Sequence, residues 1–314
     1  MHSPDPKAPD PGRPAGAPEL TVIVVSYNTR DLTLACLRAL HAGTRTPFRC
    51  ILWDNASSDG SAEAVAAAFP DVTLVRSPEN VGFAAANNRA AGMAQTEWLL
   101  LLNPDTEVED GAVDRLLAFS RQHPEAGITG GRTVFPDGSL NPSSCWMRPT
   151  LWSVFCQSSG LTRAFRGSSF LNPEAMGAWQ RDTVRQVDIV VGCFMMLPRA
   201  LWDALGGFDT SYFMYGEESD LCLRAARRGY RPMVTPDAQI MHLVGGTIGR
   251  HSVRKRMLVT KARITLIRRH WPRWQVPLGV GMIRAGIWAR LVASRGRAPW
   301  PEIWATRADW TAGY

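Results

Sequence analysis

The sequence predicts an α/β fold organised around a mostly parallel sheet flanked by helices. Residues 21–25 (Thr-Val-Ile-Val-Val), 50–53 (Cys-Ile-Leu-Trp) and 98–102 (Trp-Leu-Leu-Leu-Leu) are apolar runs of strand length, as buried parallel strands are. Segments of helical length separate them, which implies right-handed crossovers. Two of the runs deliver carboxylates, Asp54 and Asp105, to the edge where open α/β sheets meet their ligands.

In order, strands are expected at 21–25, 50–53, 72–75 and 98–102, and helices near 31–42, 61–69, 84–94 and 111–122. Asp59 with Ser61 suits the start of the second helix and Asp110 that of the fourth. From 130 to 250 the texture changes to turns, aromatics and short strands. Phe135-Pro136-Asp137-Gly138 signals a hairpin, residues 187–192 a strand, and 198–205 a helix stopped by Gly206-Gly207. The expected organisation is an arm (1–18), two halves of one domain (19–129 and 130–250), and a helical extension (251–314).

The chain has 314 residues, 45% of them hydrophobic, enough for a large core. Residues 1–18 hold six prolines and no apolar run, so they read as a disordered arm rather than a signal peptide. Six cysteines show no C-x-x-C pair, which points to reduced, buried thiols and a cytoplasmic setting. Residues 245–314 carry a surplus of twelve positive charges, while the rest of the chain stands at minus five. A basic tail suits an anionic membrane surface or a phosphorylated substrate, or is simply a solvated helical face. Its arginines lack a nucleic-acid reading motif, so no nucleic-acid partner is expected.

The turn after the first strand, Ser26-Tyr27-Asn28-Thr29, has no glycine, and neither a G-x-G-x-x-G nor a P-loop pattern occurs. That sets aside ordinary NAD binding and P-loop chemistry. Asn103-Pro104-Asp105 offers the hard oxygen chemistry of a Mg²⁺ or Mn²⁺ site in which substrate phosphates share the ion. A third acidic cluster, Glu217-Glu218-Ser219-Asp220, opens a helical segment. One acid there is ordinary for a helix start, and three are less so.

These pieces together resemble the inverting family 2 glycosyltransferases of GT-A fold, especially their bacterial rhamnosyltransferase-like members. The matching segments are Val25–Asn28, Asp54–Gly60, Asn80–Phe83 with Asn87-Asn88, Leu102–Asp105, Gly206–Asp209, Phe213–Arg224 and His242. The resemblance implies a Rossmann-like sheet and a nucleotide-sugar site built from Ser26, Tyr27, Asn28, Asp54, Asn80, Gly82, Asn88 and Asn103. It implies a divalent cation at Asp105 and His242, and Glu218 as the base that deprotonates an acceptor hydroxyl. Gly192, Glu217 and Asp220 are expected on the acceptor side. One departure stands out: the family usually writes Glu-Asp where this chain writes Glu217-Glu218, one methylene longer. His41, His123, His251 and His270 have no comparable context.

The implied activity is transfer of a sugar, rhamnose from dTDP-rhamnose being the leading case over other dTDP- or UDP-sugars. The implied acceptor is a saccharide or polyprenyl-linked glycan at the inner face of the cytoplasmic membrane. A sugar nucleotidyltransferase would call for a glycine-rich basic loop after the first strand, and a catalytically impaired glycan-binding relative would explain Glu218. In the tail, no stretch is expected to span a bilayer, since Val276–Ala293 contains Arg284 and Arg290. Val280, Ile283, Ile287 and Leu291 form one stripe that suits an interfacial helix with snorkelling arginines, or else packs on the catalytic domain.

Overall fold

A computed structural model of the chain describes residues 17–243 and 253–314. The expected arm therefore lies almost wholly outside the described residues, as do His251 and the boundary at 250. The first half runs β1 (Leu20–Ser26), α1 (Arg30–Gly43), β2 (Phe48–Asp54), α2 (Ser61–Ala68), β3 (Thr73–Arg76), α3 (Phe83–Met93) and β4 (Trp98–Leu102). There follow β5 (Thr106–Val108), α4 (Ala112–Gln122), β6 (Thr129–Val134), β7 (Cys145–Trp146), α5 (Leu151–Ser159) and α6 (Leu161–Ala164). Then come β8 (Arg185–Gln186), β9 (Ile189–Val190), β10 (Phe194–Pro198), α7 (Arg199–Leu205), α8 (Glu217–Arg227) and β11 (Met233–His242). The tail forms α9 (Val253–His270), α10 (Val276–Ala293), α11 (Trp300–Ala305) and α12 (Arg307–Ala312).

The main sheet has the order β3-β2-β1-β4-β10-β6-β11-β5, with β8 beside β11. β3, β2, β1 and β4 are parallel, β10 runs against β4, and β6 and β11 run parallel to each other. The carboxyl ends of β1, β2, β4 and β11 consequently face one edge, which is where the acids are delivered. Alternate residues split the core: Ile23, Ile51 and Leu99 pack beneath α3, α7 and α8, whereas Val22, Leu52 and Leu100 pack beneath α1, α2 and α4. Burial on both faces explains why these strands read as continuous apolar runs. At Gly131 a Cβ would sit 2.0 Å from the Ala238 carbonyl, where β11 bulges between Thr235 and Gln239.

Several local expectations are corrected. Residues 187–192 do not form one strand: Arg185–Gln186 pairs with β11 and Ile189–Val190 with β7, so the chain changes sheets at Val187-Asp188. The Val187 N–H donates to the Pro232 carbonyl at 2.8 Å and Asp188 accepts from the Arg148 backbone, holding that crossing. Asp110 does not cap α4; it pairs with Arg45 at 2.9 Å, and left-handed Gly111 precedes the helix instead. All six cysteines are free and buried.

The stripe of α10 faces inward. Ile283 and Ile287 join Val154, Ile264, Ile303 and Trp310 in a third apolar cluster, so the helix is half of an internal interface. Arg290 does not snorkel outward; its guanidinium donates to the carbonyls of Gln157, Ser158 and Gly286. The outward side is also apolar, exposing Leu278, Trp288 and Val292. By length and composition α10 is apolar enough to cross a membrane despite its two arginines, in contrast to the sequence expectation.

Candidate active site

At the sheet edge, Ser26 and Asp54 stand opposite each other in the β1–β2 register. Both are buried, and the Ser57 N–H donates to Asp54 Oδ2 at 3.2 Å while Oδ1 has no hydrogen-bond partner among the described residues. A buried carboxylate oxygen without a donor is costly unless a ligand supplies one. The Ser26 hydroxyl is spent on Thr29 and Thr33 at 3.1 and 3.0 Å, so its role is to shape the turn. Tyr27 is half-buried, and exposed Asn28, with φ 52°, accepts from the Ser58 N–H at 2.8 Å.

Asn55 organises the next loop. Its amide donates to Asn80 at 2.9 Å and accepts from the Val81 N–H at 3.0 Å, and Asn80 in turn accepts from Gly82. Gly82 has φ 84°, and a Cβ there would lie 2.7 Å from the Phe213 carbonyl. Asn88 is not at the sheet edge: both ends of its amide bond the Phe208 backbone at 2.8 Å, fastening α3 to the Gly206-Gly207 turn.

Asn103 follows β4, with its N–H donated to Cys193 and its side-chain oxygen buried without a partner among the described residues. Two residues on, Asp105 Oδ1 lies 3.3 Å from His242 Nε2. Sheet register produces this contact: His242 stands opposite Thr106 in the β11–β5 ladder, one residue from Asp105. Burial disfavours the His242 imidazolium, but the Cys193 sulfur and the Asp105 carboxylate outweigh it and raise the pKa to about 10. Among the described residues no three histidine, cysteine or carboxylate side chains cluster as a metal site. One carboxylate and one imidazole, the latter giving up its proton as the metal binds, nevertheless fit a Mg²⁺ or Mn²⁺ whose other ligands come from a diphosphate.

Helix α8 brings the acids. Its first residue, Glu217, turns inward and is buried, with Oε2 unpartnered among the described residues; Glu218 is only partly buried. Burial raises the pKa of both, and the neighbouring Glu218 charge raises Glu217 further. Gly192 lies against Glu218, a Cβ at that position being in ordinary contact at 3.9 Å from the Glu218 Cβ. Tyr215 joins the two sides of the site. Burial and then the charges of Glu217, Glu218 and Asp105 push its phenol up to about 12. Its backbone has φ 69°, a conformation that non-glycine residues seldom adopt away from functional loops.

Asp220 is buried at the end of the first turn of α8, with its carboxylate engaged inside the protein. It accepts from Arg224 at 2.7 Å and from His270 at 2.8 Å, and these bonds outweigh burial and lower its pKa. Arg224 also donates to the Leu205 and Gly207 carbonyls. Sequence reasoning gave His270 no context and assigned no role to Asn55 or Tyr215, although both lie in segments that matched the family.

A parallel-edged sheet that converges a strand-end acid, a carboxylate–imidazole pair and a helix-start carboxylate is the arrangement of a GT-A glycosyltransferase. The chain matches the family described as "Glycosyl transferase family 2" over residues 21–200, and it belongs to that family. It is 30% identical over 275 residues to the N-acetylglucosaminyl-diphospho-decaprenol L-rhamnosyltransferase of Mycobacterium tuberculosis, covering 82% of this chain and 87% of that protein. It is 29% identical to the Myxococcus xanthus O-antigen biosynthesis protein RfbC over 72% of this chain and 17% of that protein. In structure it is similar to the mannosyltransferase PcManGT of Pyrobaculum calidifontis, solved with GDP-Man and Mn²⁺. The TM-score is 0.57 at 21% identity, with 98% of this chain and 87% of the other covered.

Proposed function

We propose that this glycosyltransferase moves rhamnose from dTDP-rhamnose, with inversion, onto a polyprenyl-diphosphate-linked saccharide at a membrane surface. The observation that carries the reading is the convergence of Asp54, Asp105 with His242, and Glu218 around one sheet edge. The similarity to the mycobacterial L-rhamnosyltransferase over most of both chains supports the choice of sugar and acceptor.

In this reading the unpartnered Asp54 oxygen accepts from the nucleoside. Asp105 and His242 would hold a divalent ion that, when bound, neutralises charge on the departing diphosphate. Glu218 takes the proton of the acceptor hydroxyl as that oxygen bonds to the anomeric carbon from the face opposite the leaving diphosphate, breaking the carbon–oxygen bond. Burial raises the basicity of Glu218, which suits it to the task.

The test is transfer from dTDP-rhamnose, UDP-sugars and GDP-sugars to a polyprenyl-diphosphate N-acetylglucosamine acceptor, with and without Mn²⁺, followed by assignment of the product anomer. Inverted product from dTDP-rhamnose alone supports the reading in full. Transfer from another donor replaces the sugar, and neither transfer nor hydrolysis of any donor returns the protein to a glycan-binding role.

A further inference from the structure

A cavity of about 360 Å³ opens between α5, the segment after α6, and α10, apart from the sheet edge. Three guanidinium groups line it, Arg163, Arg166 and Arg290, against a single carboxylate, Glu174. That carboxylate is already neutralised, because both terminal nitrogens of Arg263 donate to it. Arg163 and Arg166 are exposed and form no ion pair among the described residues. Half-buried Arg290 is disfavoured as a cation first by burial and then by the charges of Arg256 and Arg163. Concentrated positive charge of this kind is relieved by an anion.

The segments that line the cavity also carry exposed aromatic side chains. Trp152, on the same helix as the lining residues Ser153 and Gln157, packs its ring 5.6 Å from Phe155 and 4.9 Å from Phe170. Phe170 is 70% exposed, and Trp288 on α10, two residues before Arg290, is 53% exposed. Basic groups in a recess whose lining segments also expose aromatic side chains match an amphiphile that carries phosphate at the boundary between its polar and apolar parts.

We infer that this cavity binds the phosphate or diphosphate group of a membrane amphiphile while the exposed Trp152–Phe170 pair lies in the lipid interface. Two sources share that chemistry: the diphosphate of the lipid-linked acceptor, which rests on the function proposed above, and the headgroup of an anionic phospholipid, which does not.

The experiment compares the full chain with Arg163→Gln/Arg166→Gln, whose thermal transition is expected to match because neither guanidinium has a structural partner. Binding of inorganic pyrophosphate is measured by calorimetry in the presence of a chelator, which keeps the donor side unloaded. Sedimentation with phosphatidylglycerol-containing and pure phosphatidylcholine vesicles is measured beside it. The double variant is expected to bind pyrophosphate about thirtyfold more weakly. Loss of phosphatidylglycerol binding with an unchanged acceptor KM in neutral detergent assigns the phospholipid. An acceptor KM raised about thirtyfold in neutral detergent assigns the acceptor diphosphate. A folded double variant with unchanged pyrophosphate binding, vesicle binding and acceptor KM overturns the inference. An absence of sugar transfer from any donor would leave the pyrophosphate and vesicle results standing on their own.

Discussion

His270 Nε2 donates to Asp220 Oδ1 at 2.8 Å, fastening the last residue of α9 to the first turn of the helix that carries Glu218. Both side chains are buried, and Arg224 completes the cluster. The bond spans fifty residues of sequence and holds Glu218, the proposed base, through its helix.

Removing that support should disturb the placement of Glu218. His270→Ala leaves a buried acceptor one donor short, a loss of about 1–3 kcal/mol in stability. It is expected to lower kcat more than it raises the donor KM, with partial recovery in His270→Gln. An unchanged kcat in a destabilised variant would reduce the bond to packing alone.

The same cluster sets an acid limit on the fold. The Asp220 pKa is lowered in the folded state, so its contribution to stability is complete above the ordinary value of 3.8 and drains away as pH falls further. Asp220→Asn should flatten the dependence of unfolding free energy on pH in that window, read by urea titrations at a series of acidic pH values.

Glu218→Gln should cost about 10²–10⁴-fold in kcat without a matching change in nucleotide binding. Because burial raises the Glu218 pKa, the rate should climb with pH through a value above the ordinary 4.5. Glu218→Asp restores the residue usual in the family but shortens the reach, and should fall by up to about a hundredfold. A pH profile flat from acid to neutral would remove Glu218 from the role of base.

Asp105→Ala and His242→Ala should each abolish Mn²⁺-stimulated transfer, and a chelator should do the same to the unaltered chain. Calorimetric titration with Mn²⁺ and dTDP separates loss of the ion from loss of the nucleotide. Asp54→Ala should weaken the nucleotide with the ion absent.

The orientation of α10 is open to a paired test. Ile287→Ala should cost about 2–5 kcal/mol, since the side chain is buried in the tail cluster. Trp288→Ala, on the outward side, should leave the unfolding transition in place and weaken sedimentation with vesicles.

Much of the first half was legible because its signals are local. Apolar runs ending in Asp54 and Asp105 gave strands and their direction, and their burial on both faces left little freedom in period. The pairing of Asp105 with His242 was readable only in part. Each residue stood at the end of an apolar run, but the ladder that sets them side by side joins β5 to β11 across the chain. His270 was silent, because a lone histidine at the end of a basic helix carries no mark of a partner fifty residues away. Helix α10 left two readings open for a different reason: Ile283 and Ile287 on one side and Leu278 and Trp288 on the other are equally apolar, so periodicity could not choose which side is covered. Asp110 looked like a cap until Arg45, brought across from the end of α1, claimed its carboxylate.

The tie between Asp220 and His270 also orders events in time. During synthesis α8 is completed well before α9, and until α9 follows it the first turn of α8 lacks the His270 bond and its last turn lacks the Arg269 carbonyl that receives Arg227. In the proposed reading, the strand-end acids of the nascent chain are therefore in place before Glu218 is tied down.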